Sequence, residues 1–312
     1  MGLGCWAIGG PFWRGETPVG WGEVDDAESI RAIHQALDLG VTFFDTADVY
    51  GTGHSETVLG RALSGRRDAV VIATKFSNAF DPTTRQIVGS DVSSGYIREA
   101  CTASLRRLNT DFIDLYQLHD GGLALEEAQG VRETLEALVG EGKIRAYGWS
   151  TDDPQRAAFF AEGPHCTAVQ HQMNIFDDAP EMINICEPLN LASINRGPLA
   201  MGLLSGKYDA DSQLAANDVR GENAPSWMQY FKGGKPNPIF LDKLSAIRDI
   251  LTADGRTLVQ GALGWLWARS SRTIPIPGFR TAAQVTENAR AMTYGPLKEA
   301  QMQEIAALLD RS

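Results

Sequence analysis

The sequence predicts a (β/α)8 barrel folded as a single domain over residues 1–312. Three observations carry this reading. Short β-rich apolar runs alternate with longer segments of helical period, which argues for βα units and a parallel sheet. The strand-like runs number eight, the number that closes such a barrel. At 312 residues, with no Pro/Ser/Gly-rich linker, low-complexity tract or internal repeat, the chain fits one α/β barrel more simply than two domains.

In order, the strands are expected near Leu3 to Ile8, Val41 to Thr46, Ala69 to Lys75, Phe112 to His119, Ile144 to Ser150, Ala168 to Gln172, Leu191 to Arg196 and Thr273 to Pro277. Helical periodicity between them places helices over Asp25 to Leu39, Ser93 to Leu108, Glu126 to Val139 and Leu258 to Ala268. The first is opened by acidic residues suited to a helix N-terminus. The exception to the rhythm is a polar loop after the seventh strand, Tyr208 to Pro238, too long for an ordinary connection. Its aromatic cluster, Trp227, Tyr230 and Phe231, either covers a site or packs as a satellite on the barrel.

Composition narrows the function classes. The hydrophobic fraction is 43% and the charged fraction 21%, as in a globular chain with a sizeable core. A formal net charge of -11 disfavours nucleic-acid backbones and anionic membranes as partners, so an anionic ligand needs a local basic pocket. The N-terminus lacks a signal-peptide pattern, and no window approaches the roughly 18 apolar residues of a membrane span, which makes the cytoplasm the expected compartment. Cys5, Cys101, Cys166 and Cys186 show no CxxC spacing and read as reduced, mostly buried thiols. No metal site is expected.

In a barrel of this kind, functional groups gather where strands end at the C-terminal face. The run GVTFFDTADVYG ends the second strand with Asp45 and sets Tyr50 shortly after it. VVIATKF ends the third strand on Lys75, and LYQLH ends the fourth on His119. Singly, each has a structural explanation: a capped turn, a packed ring, a solvated lysine, a core histidine. Together at successive strand ends they form a constellation suited to carbonyl reduction. Hydride delivery to a carbonyl carbon generates an alkoxide that needs a proton, and a tyrosine becomes a usable donor or base when a nearby cation favours its anion. Lys75 supplies that cation, Asp45 keeps it charged, and His119 orients the carbonyl oxygen.

These motifs resemble the aldo-keto reductases, and the resemblance runs from Gly2 to about Asn288. FFDTADVYGTGHSETVLGRAL, ATKF and LYQLH are similar to the segments carrying that family's catalytic Asp, Tyr, Lys and His, so the resemblance assigns the tetrad to Asp45, Tyr50, Lys75 and His119. IRAYGWST and AVQHQMN resemble the segments that grip a nicotinamide carboxamide, here Ser150, Thr151 and Gln170. NRGPLAMGLLSGKY resembles the segment around the cofactor diphosphate, here Gly197, Leu199, Gly202 and Lys207. Arg196 stands where the family commonly stacks an aromatic ring on the nicotinamide, and a guanidinium plane can stack there too. IPIPGFRTAAQVTENA resembles the segment at the adenosine end, here Gly278, Arg280, Gln284 and Asn288, with Arg280 suited to a 2'-phosphate.

The resemblance therefore implies NADP, as NADPH, in preference to NAD. The barrel mouth would hold it, because no GxGxxG follows the first strand. It also implies a hairpin plugging the barrel floor ahead of the first strand, whereas this chain opens directly on that strand. The expected partner is a small-molecule aldehyde, ketone or sugar carbonyl, with Trp13, Phe76, Phe80 and Trp227 walling its pocket and Asn78 and Arg196 leaving room for a sugar. Two other readings are a barrel aldolase with Lys75 as Schiff-base nucleophile and a nicotinamide-binding regulatory subunit of a larger complex.

Overall fold

The computed structural model describes residues 1–310; positions 311–312 of the expected domain lie outside the described residues. Eight parallel strands pair in strict sequence order: β1 Gly2–Gly4, β2 Phe43–Asp45, β3 Val71–Phe76, β4 Ile113–Leu118, β5 Ile144–Ser150, β6 Cys166–Gln172, β7 Ala192–Arg196 and β8 Thr273–Pro275. The sheet closes through a parallel bridge between Gly4 and Gly278, where Gly4 N–H donates to the Pro277 carbonyl at 3.0 Å. A side chain at Gly4 would place its Cβ 2.9 Å from the Ile276 carbonyl, so this seam requires glycine.

Both terminal strands are shorter than the sequence suggests. After β1 the chain turns into a single 3-10 turn, Trp6–Ile8, tied down by the Trp6 indole donating to the Val19 carbonyl at 3.0 Å. In the last strand Ile276 N–H still donates to the Asn195 carbonyl of β7 at 3.2 Å, whereas Pro275 and Pro277 have no N–H to offer β1, where pairing is limited to the Gly278 bridge.

Around the barrel lie α1 Asp26–Asp38, α2 His54–Ala62, α3 Ser94–Leu108, α4 Leu125–Gly140, α5 Pro154–Ala161, α6 Pro180–Cys186, α7 Pro238–Thr252, α8 Leu258–Arg269, α9 Ala282–Tyr294 and α10 Glu299–Leu308. Several of their starts carry side-chain caps. Asp25 accepts from the backbone of Ala27 and Glu28, Asp153 from Gln155 and Arg156, and Thr257 with Gln260 forms a reciprocal capping box. Helix α1 buries Ser29, Ala32, Ile33 and Ala36, the i, i+3, i+4, i+7 stripe of an amphipathic helix. Among the described residues, no helix is long and apolar enough to cross a membrane. All four cysteines are free thiols, three of them buried.

Inside the barrel, Ala73, Leu115, Ala168, Ile194 and Ile276 pack with Phe43 into an apolar floor. Alternate residues of a strand share a face, so the next inward position on four strands lies one pleat repeat higher. Those positions are Asp45, Lys75, Gln117 and Gln170. The fold thus stacks a polar layer directly on an apolar plug.

At the mouth, segments between the barrel elements build a separate four-stranded sheet, in the order Thr17–Pro18, Trp13–Arg14, Gln86–Ser90, Asn78–Asp81. The long loop after β7 holds a tight hairpin, Phe231–Lys232 with Lys235–Pro236, whose turn residues Gly233 and Gly234 both have positive φ. Its aromatic cluster divides: Phe231 and Tyr230 are buried, while Trp227 is 55% exposed over the mouth.

Candidate active site

The Lys75 ammonium is fully buried and donates to Asp45 Oδ1 at 2.6 Å, to the Thr46 carbonyl at 2.7 Å and to the Tyr50 hydroxyl at 3.4 Å. Three donors meet three acceptors, which is the full capacity of the group. Burial works against its charge, but Asp45 and Tyr50 outweigh burial, and the Lys75 pKa stands above its ordinary value. Asp45 is held in turn by two side-chain amides: its Oδ2 accepts from Gln117 at 3.1 Å and from Gln170 at 2.7 Å.

Tyr50 sits on the turn after β2, its ring stacked on Trp6 at 5.9 Å and meeting the His119 ring edge-on at 5.9 Å. Burial raises the Tyr50 pKa, and the Lys75 charge only partly offsets it. The sequence argument expected the cation to dominate; desolvation of the phenol dominates instead, so Tyr50 keeps its proton at neutral pH. His119 is pushed well below its ordinary pKa, first by burial and then by the charges of Lys75, Arg196 and Arg14. Its ring is neutral near pH 7, and its buried Nδ1 finds no partner among the described residues.

Above this layer opens a cleft of about 1220 Å³. Asp45, Tyr50 and His119 reach it, with Lys75 directly behind them. Every residue that sequence reasoning assigned to the cofactor lines it: Ser150, Thr151, Gln170, Arg196, Gly197, Leu199, Gly202, Lys207, Gly278, Arg280, Gln284 and Asn288. Several are also committed to the protein itself. Thr151 donates its hydroxyl to the Gly121 carbonyl at 2.9 Å, and Arg196 donates to Gln172 Oε1 at 3.0 Å and forms an ion pair with Asp152. Gly197 has φ +63°, and a Cβ there would fall 2.7 Å from Gln172 Oε1. Arg280 donates to the backbone carbonyls of Trp21 and Glu23, while its own N–H is accepted by Gln284 Oε1 at 2.7 Å.

The expected substrate wall is corrected in part. Trp227 lines the cleft, but Trp13, Phe76 and Phe80 do not. Phe76 is fully buried on the outer face of β3, 4.6 Å from the Tyr116 ring. Because Lys75 points inward, its strand neighbour must point outward. The same alternation turns Trp13 away and Arg14 toward the cleft. The wall is instead built by Trp6, Phe12, Arg14, Asn78, Ile87 and Trp227, most of them carried by the outer sheet and its flanking turns. Gln117, Arg14 and Arg220 were missed, although Gln117 stands in the same LYQLH run as His119.

The sequence profile described as the Aldo/keto reductase family matches residues 1–310. The chain belongs to the aldo-keto reductase family. It is 31% identical to the aldo-keto reductase YhdN of Bacillus subtilis, over all of this chain and 90% of that protein. It is 30% identical to the aldo-keto reductase yakc [NADP(+)] of Schizosaccharomyces pombe, over 94% of this chain and 85% of that one. In structure it is similar to the glycerol dehydrogenase AKR11B4 of Gluconobacter oxydans, with a TM-score of 0.82 and 30% identity over 99% of this chain and 91% of the other.

In this aldo-keto reductase the cleft is lined by the basic groups Arg14, Arg196, Lys207, Arg220 and Arg280 and by the carboxylates Asp45, Asp152, Asp153, Asp177 and Glu287. Arg280 lies beside the N-terminus of the 13-residue helix α9, where backbone N–H groups and the helix dipole favour an anion. Among the described residues, no cluster of three or more His, Cys, Asp or Glu is placed to hold a metal ion.

Proposed function

We propose that this oxidoreductase interconverts an aldehyde or ketone with its alcohol using NADPH, with Tyr50 as the general acid and base. One observation carries the reading: the buried Lys75 ammonium lies within hydrogen-bond reach of both Asp45 and the Tyr50 hydroxyl, at the floor of the cleft and beside a neutral His119. When bound, the reduced nicotinamide supplies the hydride.

The remaining chemistry falls to the chain. His119, neutral, donates a hydrogen bond to the substrate carbonyl oxygen and orients it. Tyr50 transfers its phenolic proton to that oxygen as charge develops there, and Lys75 stabilises the phenolate left behind. Asp45 keeps Lys75 charged throughout. Ser150, Thr151 and Gln170 hold the carboxamide, Arg196 packs on the ring, Gly197, Leu199, Gly202 and Lys207 surround the diphosphate, and Gly278, Arg280, Gln284 and Asn288 hold the adenosine end. Arg280 at the start of α9 supports NADPH over NADH, as does the NADP(+) in the name of the fission-yeast relative. A lysine held charged by a carboxylate at 2.6 Å is a poor Schiff-base nucleophile, which argues against the aldolase reading.

The test is a panel of aldehydes, ketones and sugars followed at the reduced-nicotinamide absorbance with both cofactors. Turnover of at least one carbonyl class, with a higher kcat/KM for NADPH, is the expected result. Tight nicotinamide binding without turnover of any member would overturn the enzyme reading and favour a regulatory subunit.

A further inference from the structure

Several cations of the cleft are engaged by the protein itself. Arg196 is paired with Asp152 and Arg220 with Asp218, and Arg280 is turned onto two backbone carbonyls, whereas Lys207, by the segment after β7, has no carboxylate partner among the described residues. At the His119 end stands Arg14. Among the described residues it has no carboxylate partner, and its one hydrogen bond runs from Nη2 to Asn78 Oδ1 at 3.2 Å. It is close enough to His119 for its charge to help keep that ring neutral.

Its mounting is rigid. Arg14 pairs with Thr17 across a hairpin, and Gln86 bonds Gly15 in both directions, accepting from its N–H at 3.0 Å and donating to its carbonyl at 3.2 Å. Asn78 pairs with Ser90, and its carbonyl accepts from the Tyr96 hydroxyl at 2.9 Å. The outer sheet thus holds the Arg14 backbone at the mouth, and its exposed guanidinium, with donors to spare, lines the same cleft as Tyr50 and His119.

Building on the proposed carbonyl reduction, we infer that Arg14 and Asn78 form an anion-recognition subsite, and that the natural substrate carries a carboxylate or phosphate a few atoms from its carbonyl. A guanidinium offers paired donors to either group, and Asn78 adds an amide beside it. On a chain of net charge -11, a cation without a carboxylate partner at the Tyr50 and His119 end of a concave mouth concentrates anions there.

Matched pairs test this: 4-oxobutanoate against butanal, and glyceraldehyde 3-phosphate against glyceraldehyde, with wild type, Arg14→Gln and Arg14→Lys. The expected result is that wild type prefers the anionic member of at least one pair, and which pair identifies the group recognised. Arg14→Gln should lower the anionic-to-neutral ratio of kcat/KM by about 10-fold to 100-fold, chiefly through KM, the size of one charge-assisted contact. Arg14→Lys should restore part of it, and added salt should erode the wild-type preference. Equal kcat/KM within both pairs, or an Arg14→Gln ratio matching wild type, overturns the subsite. Failure of wild type to reduce any of the four compounds or any panel carbonyl counts against the reductase reading instead.

Discussion

Gln170 donates its side-chain amide to Asp45 Oδ2 at 2.7 Å, across 125 residues of sequence. With Gln117 on the same oxygen and Lys75 on the other, this carboxylate is gripped from β3, β4 and β6 while standing on β2. Its orientation fixes the ammonium, and the ammonium fixes the Tyr50 hydroxyl. The geometry of the proposed catalytic set is therefore fixed largely by barrel strands, with Tyr50 borne on a turn and His119 one residue past β4.

Removing the charge of Asp45 should harm stability as well as rate. Asp45→Asn leaves a fully buried ammonium without its counter-ion, a change that typically costs about 3–5 kcal/mol. Denaturant unfolding of the variant should show that loss. A variant as stable as wild type would mean that Lys75 sheds its proton at little cost.

Tyr50→Phe should reduce turnover by about 100-fold to 10,000-fold, the usual worth of general acid catalysis, while cofactor affinity is largely kept because the phenyl ring retains its packing on Trp6. Lys75→Met should cost a similar factor. Groups acting as one unit are not additive, so the double variant should be little worse than either single one. Strictly multiplicative losses, measured as kcat/KM, would separate the two residues functionally.

Two pH effects follow from burial. Because the Tyr50 pKa is raised, the proton is retained through neutrality, and carbonyl reduction should stay flat there and decline only in the alkaline range. His171 is lowered to about 4 by burial, and His119 is lowered well below its ordinary value. The unfolded chain then takes up protons below about pH 6.5 that the folded chain refuses. Stability is complete above that pH and lost as pH falls toward 4, with His171 alone contributing about 3 kcal/mol by pH 4. Unfolding measured at pH 7 and pH 4.5 should show this slope, and His171→Gln should flatten it.

Arg280→Ala should weaken NADPH binding far more than NADH binding, since only the former presents a 2'-phosphate to the guanidinium. Equal losses for the two nucleotides, in direct titrations, would instead assign Arg280 to holding the Trp21 and Glu23 backbone in place.

The barrel was legible because alternation writes it into the chain. FFD, ATK, LYQ and AVQ each place an apolar or small inward residue two positions before a polar one, which is the apolar floor and the catalytic layer in miniature. Gln117 and the outward fate of Phe76 were available from the same rule once Lys75 was set inward. The outer sheet was not legible. Its strands of two to five residues form two hairpins that lie far apart in sequence, and Trp13–Arg14 meets Gln86 through a single paired position, with too little periodicity for a local signal. Arg14 was hidden with it.

The seam between Gly4 and Gly278 has a consequence beyond closing the sheet. Gly4, Ile276, Gly278 and Phe279 all border the cleft, so a molecule seated there touches the first and last barrel strands at once. It acts as a clasp across the two edges of the barrel sheet. A ligand at 100 times its Kd stabilises the fold by about 2.7 kcal/mol, and here that gain resists the parting of β1 from β8. Amide exchange should accordingly slow most at the chain's opening and closing barrel residues, far apart in sequence and adjacent only when the ring is shut.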